Sequence, residues 1–238
     1  MLTVLPLFST IVSFVFAAAV FAQWVSRRKA HQLVWTLGLL AYGIGAGTEY
    51  VTVGGQWSDL VYRLWYLFGA VLVAAYLGMG TVYLLSRQNK KVAHIVMAIL
   101  ALASLYAIFK VFTAPVNLAA VLNPTRFTGE AMPGDVRLLT PLFNVFGTIT
   151  LAGGALYSAW IFWRKRIMPQ RMVSCVLIAV GAIFPAIGGT SLRLGNPNLF
   201  FLMEFLGVAV IFIGFLANSE IVATRLTAGT SQAHLQSS

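Results

Sequence analysis

The sequence predicts an all-α polytopic membrane protein with seven transmembrane helices. Three observations predict it. The 238 residues are 59% hydrophobic and only 9% charged, whereas a soluble domain carries about 25% charged residues and needs them to cover its surface. Seven stretches each supply the roughly 20 mostly apolar residues that a bilayer span requires. The Lys and Arg residues, which set a formal charge of +10, gather between alternate stretches. That pattern orients a chain in a membrane. A nucleic-acid groove would interleave basic and aromatic residues, so nucleic acid is excluded as a partner and membrane lipid is expected.

The spans read, in order, about 3–25, 32–53, 61–85, 93–113, 139–163, 172–192 and 198–222. The first ends in VFAQ, which imitates a signal-peptide cleavage site. It has no basic n-region and is long, so a retained helix is expected. The second, LGLLAYGIGAGTEYV, is rich in glycine and holds Glu49 near its end. One domain, 1–225, contains all seven. Residues 226–238 are rich in Ser, Thr and Gln and are expected to be a disordered cytoplasmic tail.

Eleven of the 16 Lys and Arg residues follow spans 1, 3, 5 and 7. They run from Arg27, Arg28 and Lys29 through Arg87, Lys90 and Lys91 to Arg164, Lys165, Arg166, Arg171 and Arg225. The other side has five: Arg63, Lys110, Arg126, Arg137 and Arg193. The positive-inside rule puts the eleven in the cytoplasm and the N-terminus outside, with the cell inner (plasma) membrane as the expected location. Trp24, Trp57, Trp160 and Trp163 fall near span ends, where aromatic belts form. The longest loop, 114–138, has the turn-forming pairs Asn123-Pro124 and Pro133-Gly134. Its length suits a plain connector or a lid over the bundle.

Span 1 begins PLFSTIVSFVFAAAVFAQWVSRRK and span 5 PLFNVFGTITLAGGALYSAWIFWRKR. Span 2 ends in Gly47-Thr48 before a Gly-containing turn, and span 6 in Gly189-Thr190 before another. The halves 3–85 and 139–222 therefore read as a parallel 3+1+3 repeat around the linker helix 93–113. Ser191 occupies the place of Glu49, so the acid is the departure from the repeat.

This plan resembles that of SWEET sugar transporters, PnuC vitamin transporters and microbial rhodopsins. The resemblance is one of architecture only. A retinal protein needs a Schiff-base lysine in its last helix, and span 7 has no lysine. The Pro-Gln pair of SWEET-like proteins belongs within helices 1 and 5, and here Pro169-Gln170 lies in a basic loop. The N-terminal seven-helix regions of some sensor kinases are similar in size and orientation. No kinase or cyclase domain follows here, so a signal is expected to pass through a separate partner.

Charged side chains at membrane depth cost roughly 2.5–3.5 kcal/mol each on insertion scales and usually mark function. Glu49 in span 2, Arg63 in span 3, Lys110 in span 4, Asn144 in span 5, Arg193 in span 6 and Glu204 in span 7 all fall in the outer half. The cytoplasmic half offers Asn218, Ser219 and Glu220. An outward-facing polar pocket is expected, walled by Tyr50, Tyr62, Trp65, Tyr66 and Phe201. The ligand-binding or proton-linked candidates are Glu49, Glu204, Arg63, Arg193, Asn144, Lys110, Tyr50, Tyr66 and Trp65. In a purely structural arrangement, Glu204 pairs with Arg63 or Arg193, and Glu49 with Lys110 or another Arg. Gly43 and Gly47 make a small-residue packing face, and Pro141 and Pro185 could loosen nearby backbone. No metal or cofactor is expected. Cys175 is alone, and His31, His94 and His234 sit in basic loops or the tail.

Three functions follow. The leading one is binding or transport of a small molecule, with substrate at the repeat interface. The second is an intramembrane enzyme. Small seven-helix terpene cyclases of meroterpenoid pathways are similar in size, with one acid in an early helix and one in the last. Glu49 and Glu204 match those places, although Thr48 and Met203 precede them where that family often has an aromatic residue. The resemblance implies proton donation to an olefin or epoxide, with aromatic groups steadying the cation. The third is a sensor or assembly subunit, acting as a homo-oligomer or through a protein partner docked on the basic face. No residue is assigned a catalytic role.

Overall fold

The described residues, 4–86, 88–117 and 128–218 of a computed structural model, form a set of long helices. They are α1 (Leu5–Arg27), α2 (Ala30–Val53), α3 (Asp59–Leu85), α4 (Lys90–Thr113), α5 (Gly134–Arg164), α6 (Pro169–Arg193) and α7 (Pro197–Asn218). Each lies within a few residues of a span read from the sequence. Six are long and apolar enough to cross a membrane. The exception is α2, which has the length at 24 residues but is less apolar because of its glycines, polar groups and Glu49. It can be so because 13 of its residues are buried among its neighbours.

Local chemistry sets the helix ends. After α1, Arg28 adopts a left-handed conformation and its N–H donates to the Trp24 carbonyl at 2.7 Å. Its guanidinium lies 4.6 Å from the Trp24 ring centre. The turns after α2 and α6 each use a glycine, Gly55 and Gly195, both at φ +84°, where a side chain would be strained. Ser58 caps α3 by accepting from the Val61 N–H at 3.2 Å. Asn196 caps α7 by accepting from Leu199 at 3.1 Å, with Pro197 ready for the first turn.

Packing puts α2 between α1 and α3, while α7 pairs with α6 and also meets α1. Helix α5 lies against α3 and α6. Helix α4 leans on α3 at the edge, and Ile95, Ile99, Leu102, Leu105 and Phe109 on it are each more than half exposed. A face of this size in water would be a liability. In a bilayer it meets lipid.

Close backbone approaches explain Gly45 and Gly147. A Cβ on Gly45 would come within 2.7 Å of Gly69 Cα in α3. One on Gly147 in α5 would come within 2.2 Å of the Ala74 carbonyl carbon. Gly43 and Gly47 do face a neighbour, since Phe14 and Thr10 of α1 pack over them. Pro185 lies inside α6 and packs against Gly207 of α7.

One feature was not anticipated. Trp65–Leu72 within α3 and Ile149–Gly153 within α5 are wound as π-helix, a wider turn often found at functional positions. The described part of the 114–138 loop also packs onto the bundle. A short 3₁₀ turn, Gly129–Ala131, leads into α5, and Ala131, Met132 and Val136 are buried. Arg87, residues 118–127 with Arg126, and everything from Ser219 onward lie outside the described residues. These include Glu220, Arg225, the end of the last span and the tail 226–238. The side chains of Arg193 and Asn218 are likewise not described.

Candidate functional site

Glu49 is only 1% exposed. Its Oε1 accepts from the Trp65 indole N–H at 2.9 Å. Its carboxyl lies beside that of Glu204, close enough for the two groups to interact. Trp65 opens the π segment of α3, and α2 and α7 supply the two acids. The backbone around Glu204 is held by Tyr42, whose hydroxyl donates to the Glu204 carbonyl at 2.6 Å. Oε2 of each acid is shielded and meets no donor among the described residues. An ionised carboxylate only accepts hydrogen bonds. A carboxyl–carboxyl hydrogen bond therefore requires a proton on at least one acid.

This arrangement differs from two of the ion pairs that a purely structural role would use, Glu204 with Arg63 and Glu49 with Lys110. Arg63 bonds Asp59 at 2.6 Å, one helical turn before it, and also donates to the Val111 carbonyl. Lys110 bonds Asp135 at 2.6 Å, reaching from the end of α4 to the start of α5. Both bases find an acid at the helix ends, and Glu49 and Glu204 turn to each other. Arg193 ends α6, with its side chain undescribed.

The other candidates sort into supports and a bystander. Asn144 donates to the Ala70 carbonyl at 2.7 Å and to the Thr140 carbonyl at 2.9 Å, tying α5 to the π segment of α3. The Tyr66 hydroxyl donates to the Val136 carbonyl at 3.3 Å and accepts from Thr140 at 2.8 Å. Tyr62 donates to the Thr128 carbonyl at 3.0 Å. Tyr62 and Tyr66 are fully buried beneath the 129–137 segment, and Phe201 is buried as well. These aromatics fill the layer instead of walling an opening. Tyr50 stands apart, substantially exposed on the bundle exterior.

The large cleft lies at the other end of the bundle, where the basic loops are. It encloses about 1060 Å³. Arg27, Arg28, Lys29, Lys90 and Arg171 line it with His31 and His94. Its deep wall is apolar, built from Phe16, Leu39, Leu77, Leu151 and Ile211, all buried in one cluster that also contains Tyr42. Tyr42 thus joins the end of the cleft wall to the acid pair. The sequence reading took these cations as an orientation signal and as a docking face for a partner, not as the rim of a cleft. Gln23 and Gln32, facing polar groups at the α1–α2 junction, were the available hint. Gln32 is 4% exposed and donates to Gln23 at 3.3 Å. Among the described residues, no group of three His, Cys, Asp or Glu side chains could hold a metal ion.

No protein-family model, curated protein or solved structure matches the chain.

Proposed function

We propose that this protein binds a small molecule within the membrane and exchanges it through the cleft at its basic end. The observation that carries the reading is the pairing of a 1060 Å³ cleft at one end with a layer of buried aromatics at the other. Ligand pockets typically enclose about 300–1,000 Å³. A bundle with a cleft at one end and tightly buried side chains at the other has the form of one state in alternating access, which favours transport. By the positive-inside rule the open end faces the cytoplasm. The parallel repeat of 3–85 and 139–222 is part of the same proposal. The matching φ +84° glycines after α2 and α6 support it.

The acid pair is the proton-linked element of this reading. It joins α2 of the first half to α7 of the second, so loss or gain of its proton would act on the contact between halves. A second reading, acid catalysis in the bilayer, is favoured by the same contact. One protonated and one ionised carboxyl beside Trp65 is the pairing such chemistry needs.

The test is mass spectrometry of small molecules released from protein purified out of native membranes. Wild type should carry one. Ala19→Trp, which fills the cleft, should carry none while keeping its thermal stability. If both proteins are empty or equally loaded, the cleft is not the site. A released cyclised hydrocarbon whose amount falls with Glu49→Gln would favour the enzyme.

A further inference from the structure

We infer that the cleft takes an amphiphilic anion, with a phosphate-type head at its cationic mouth and a hydrocarbon chain along its inner wall. The inference rests on the cleft being the binding site, and names the class of ligand it holds.

Charge is the first support. The lining carries Arg27, Arg28, Lys29, Lys90 and Arg171, and among the described residues contains neither Asp nor Glu. Like charges gathered around one mouth repel, and an anion relieves that repulsion. Arg forks match phosphate oxygens in two-point contacts. Orientation by the positive-inside rule accounts for basic loops, but not for what lies beneath them. Below the cations the wall becomes apolar, and Phe16, Leu39, Leu77, Leu151 and Ile211 are each more than nine-tenths buried. A chain laid along them gains roughly 0.8 kcal/mol per CH₂ removed from water.

Gln32 is the independent observation. It is more than nine-tenths buried, lines the cleft, and has one amide atom shielded with no partner among the described residues. A buried polar atom left unpaired is costly, and residues kept only for helix packing would not carry it. The Gln23–Gln32 bond forms equally well with both amides reversed. That atom is shielded as the side chain stands, and a turn of Gln32 into the cleft that it lines lets it meet either a head-group hydroxyl or an oxyanion.

The experiment uses the full-length protein in nanodiscs of phosphatidylcholine, with tryptophan fluorescence as the readout, since Trp35 lines the cleft. Three probes are titrated: dodecyl phosphate, inorganic phosphate and dodecanol. Dodecyl phosphate should bind saturably, and the other two should bind at least about tenfold more weakly, a difference of 1.4 kcal/mol. The double variant Arg28→Gln, Lys90→Gln and the single variant Gln32→Leu should each weaken dodecyl phosphate and leave dodecanol unchanged. Their thermal unfolding, read alongside, should match wild type.

Equal binding of dodecanol would overturn the anionic head and leave the binding site standing. Equal binding of inorganic phosphate would overturn the chain in the same way. If no probe binds, the ligand class is wrong, and the released-molecule measurement decides separately whether the cleft binds anything. A repeat in phosphatidylglycerol nanodiscs separates the two sources of such a ligand. Loss of dodecyl phosphate binding there identifies a bilayer lipid head group as the occupant. Unchanged binding identifies a soluble amphiphile.

Discussion

Glu49 shows how much a single buried group can demand of its neighbours. The Trp65 indole and the Glu204 carboxyl meet its carboxyl, and the Tyr42 hydroxyl holds the Glu204 backbone behind them. Trp65→Phe keeps the ring's bulk but removes its N–H. It should cost about 1–3 kcal/mol, the penalty for leaving a buried acceptor unsatisfied, measured as a shift in thermal unfolding in nanodiscs. Glu49→Gln should cost far less than Glu49→Leu, because an amide can still bond both Trp65 and Glu204. The shared proton has its own signature. Infrared difference spectra should contain a protonated-carboxyl band that Glu49→Gln and Glu204→Gln each shift or remove. Spectra that contain only ionised carboxylates would contradict the shared proton. The sequence identified both acids as exceptional, because so few charges sit in the spans. Pairing with bases was one of its two readings of them, because opposite charges attract. It could not show that Asp59 and Asp135 would meet Arg63 and Lys110 first.

Among the helices, the glycines mark where backbones touch. Gly147→Ala would drive its methyl into the Ala74 backbone, which cannot give way as a flexible side chain can. It should cost on the order of 1–3 kcal/mol or more and reduce the folded yield. Gly153→Ala has open space around its Cβ and should leave the unfolding temperature close to wild type. If the two variants behave alike, the α3–α5 crossing is misplaced. The seven helices were legible because apolar runs of fixed length have few other uses in a chain this oily. The π segments were not. WYLFGAVL and ITLAG have the composition of ordinary helix, and their winding follows from tertiary fit to Asn144 and the tight glycine crossings.

At the scale of the whole molecule, charge and space separate. The cations crowd the end with the large cleft, and the buried aromatics close the end that carries the acid pair. A green fluorescent protein fused after Ser238 should fluoresce if the basic end is cytoplasmic, and a dark fusion would reverse the orientation. The cleft was hidden from the sequence because its lining comes from α1, α2, α3, α4, α5, α6 and α7 together, with only Gln23 and Gln32 out of keeping. The most direct test replaces single residues with cysteine in a Cys175→Ala background and adds a membrane-impermeant thiol reagent to sealed vesicles of known orientation. Ala19→Cys, half-buried on the cleft wall, should react when the reagent reaches the basic end, and Thr52→Cys, beneath the opposite end, should stay unreactive from either side. Reaction at position 52 from the opposite end, with position 19 protected, would mean that the chain opens the other way and that the cleft is not its binding site.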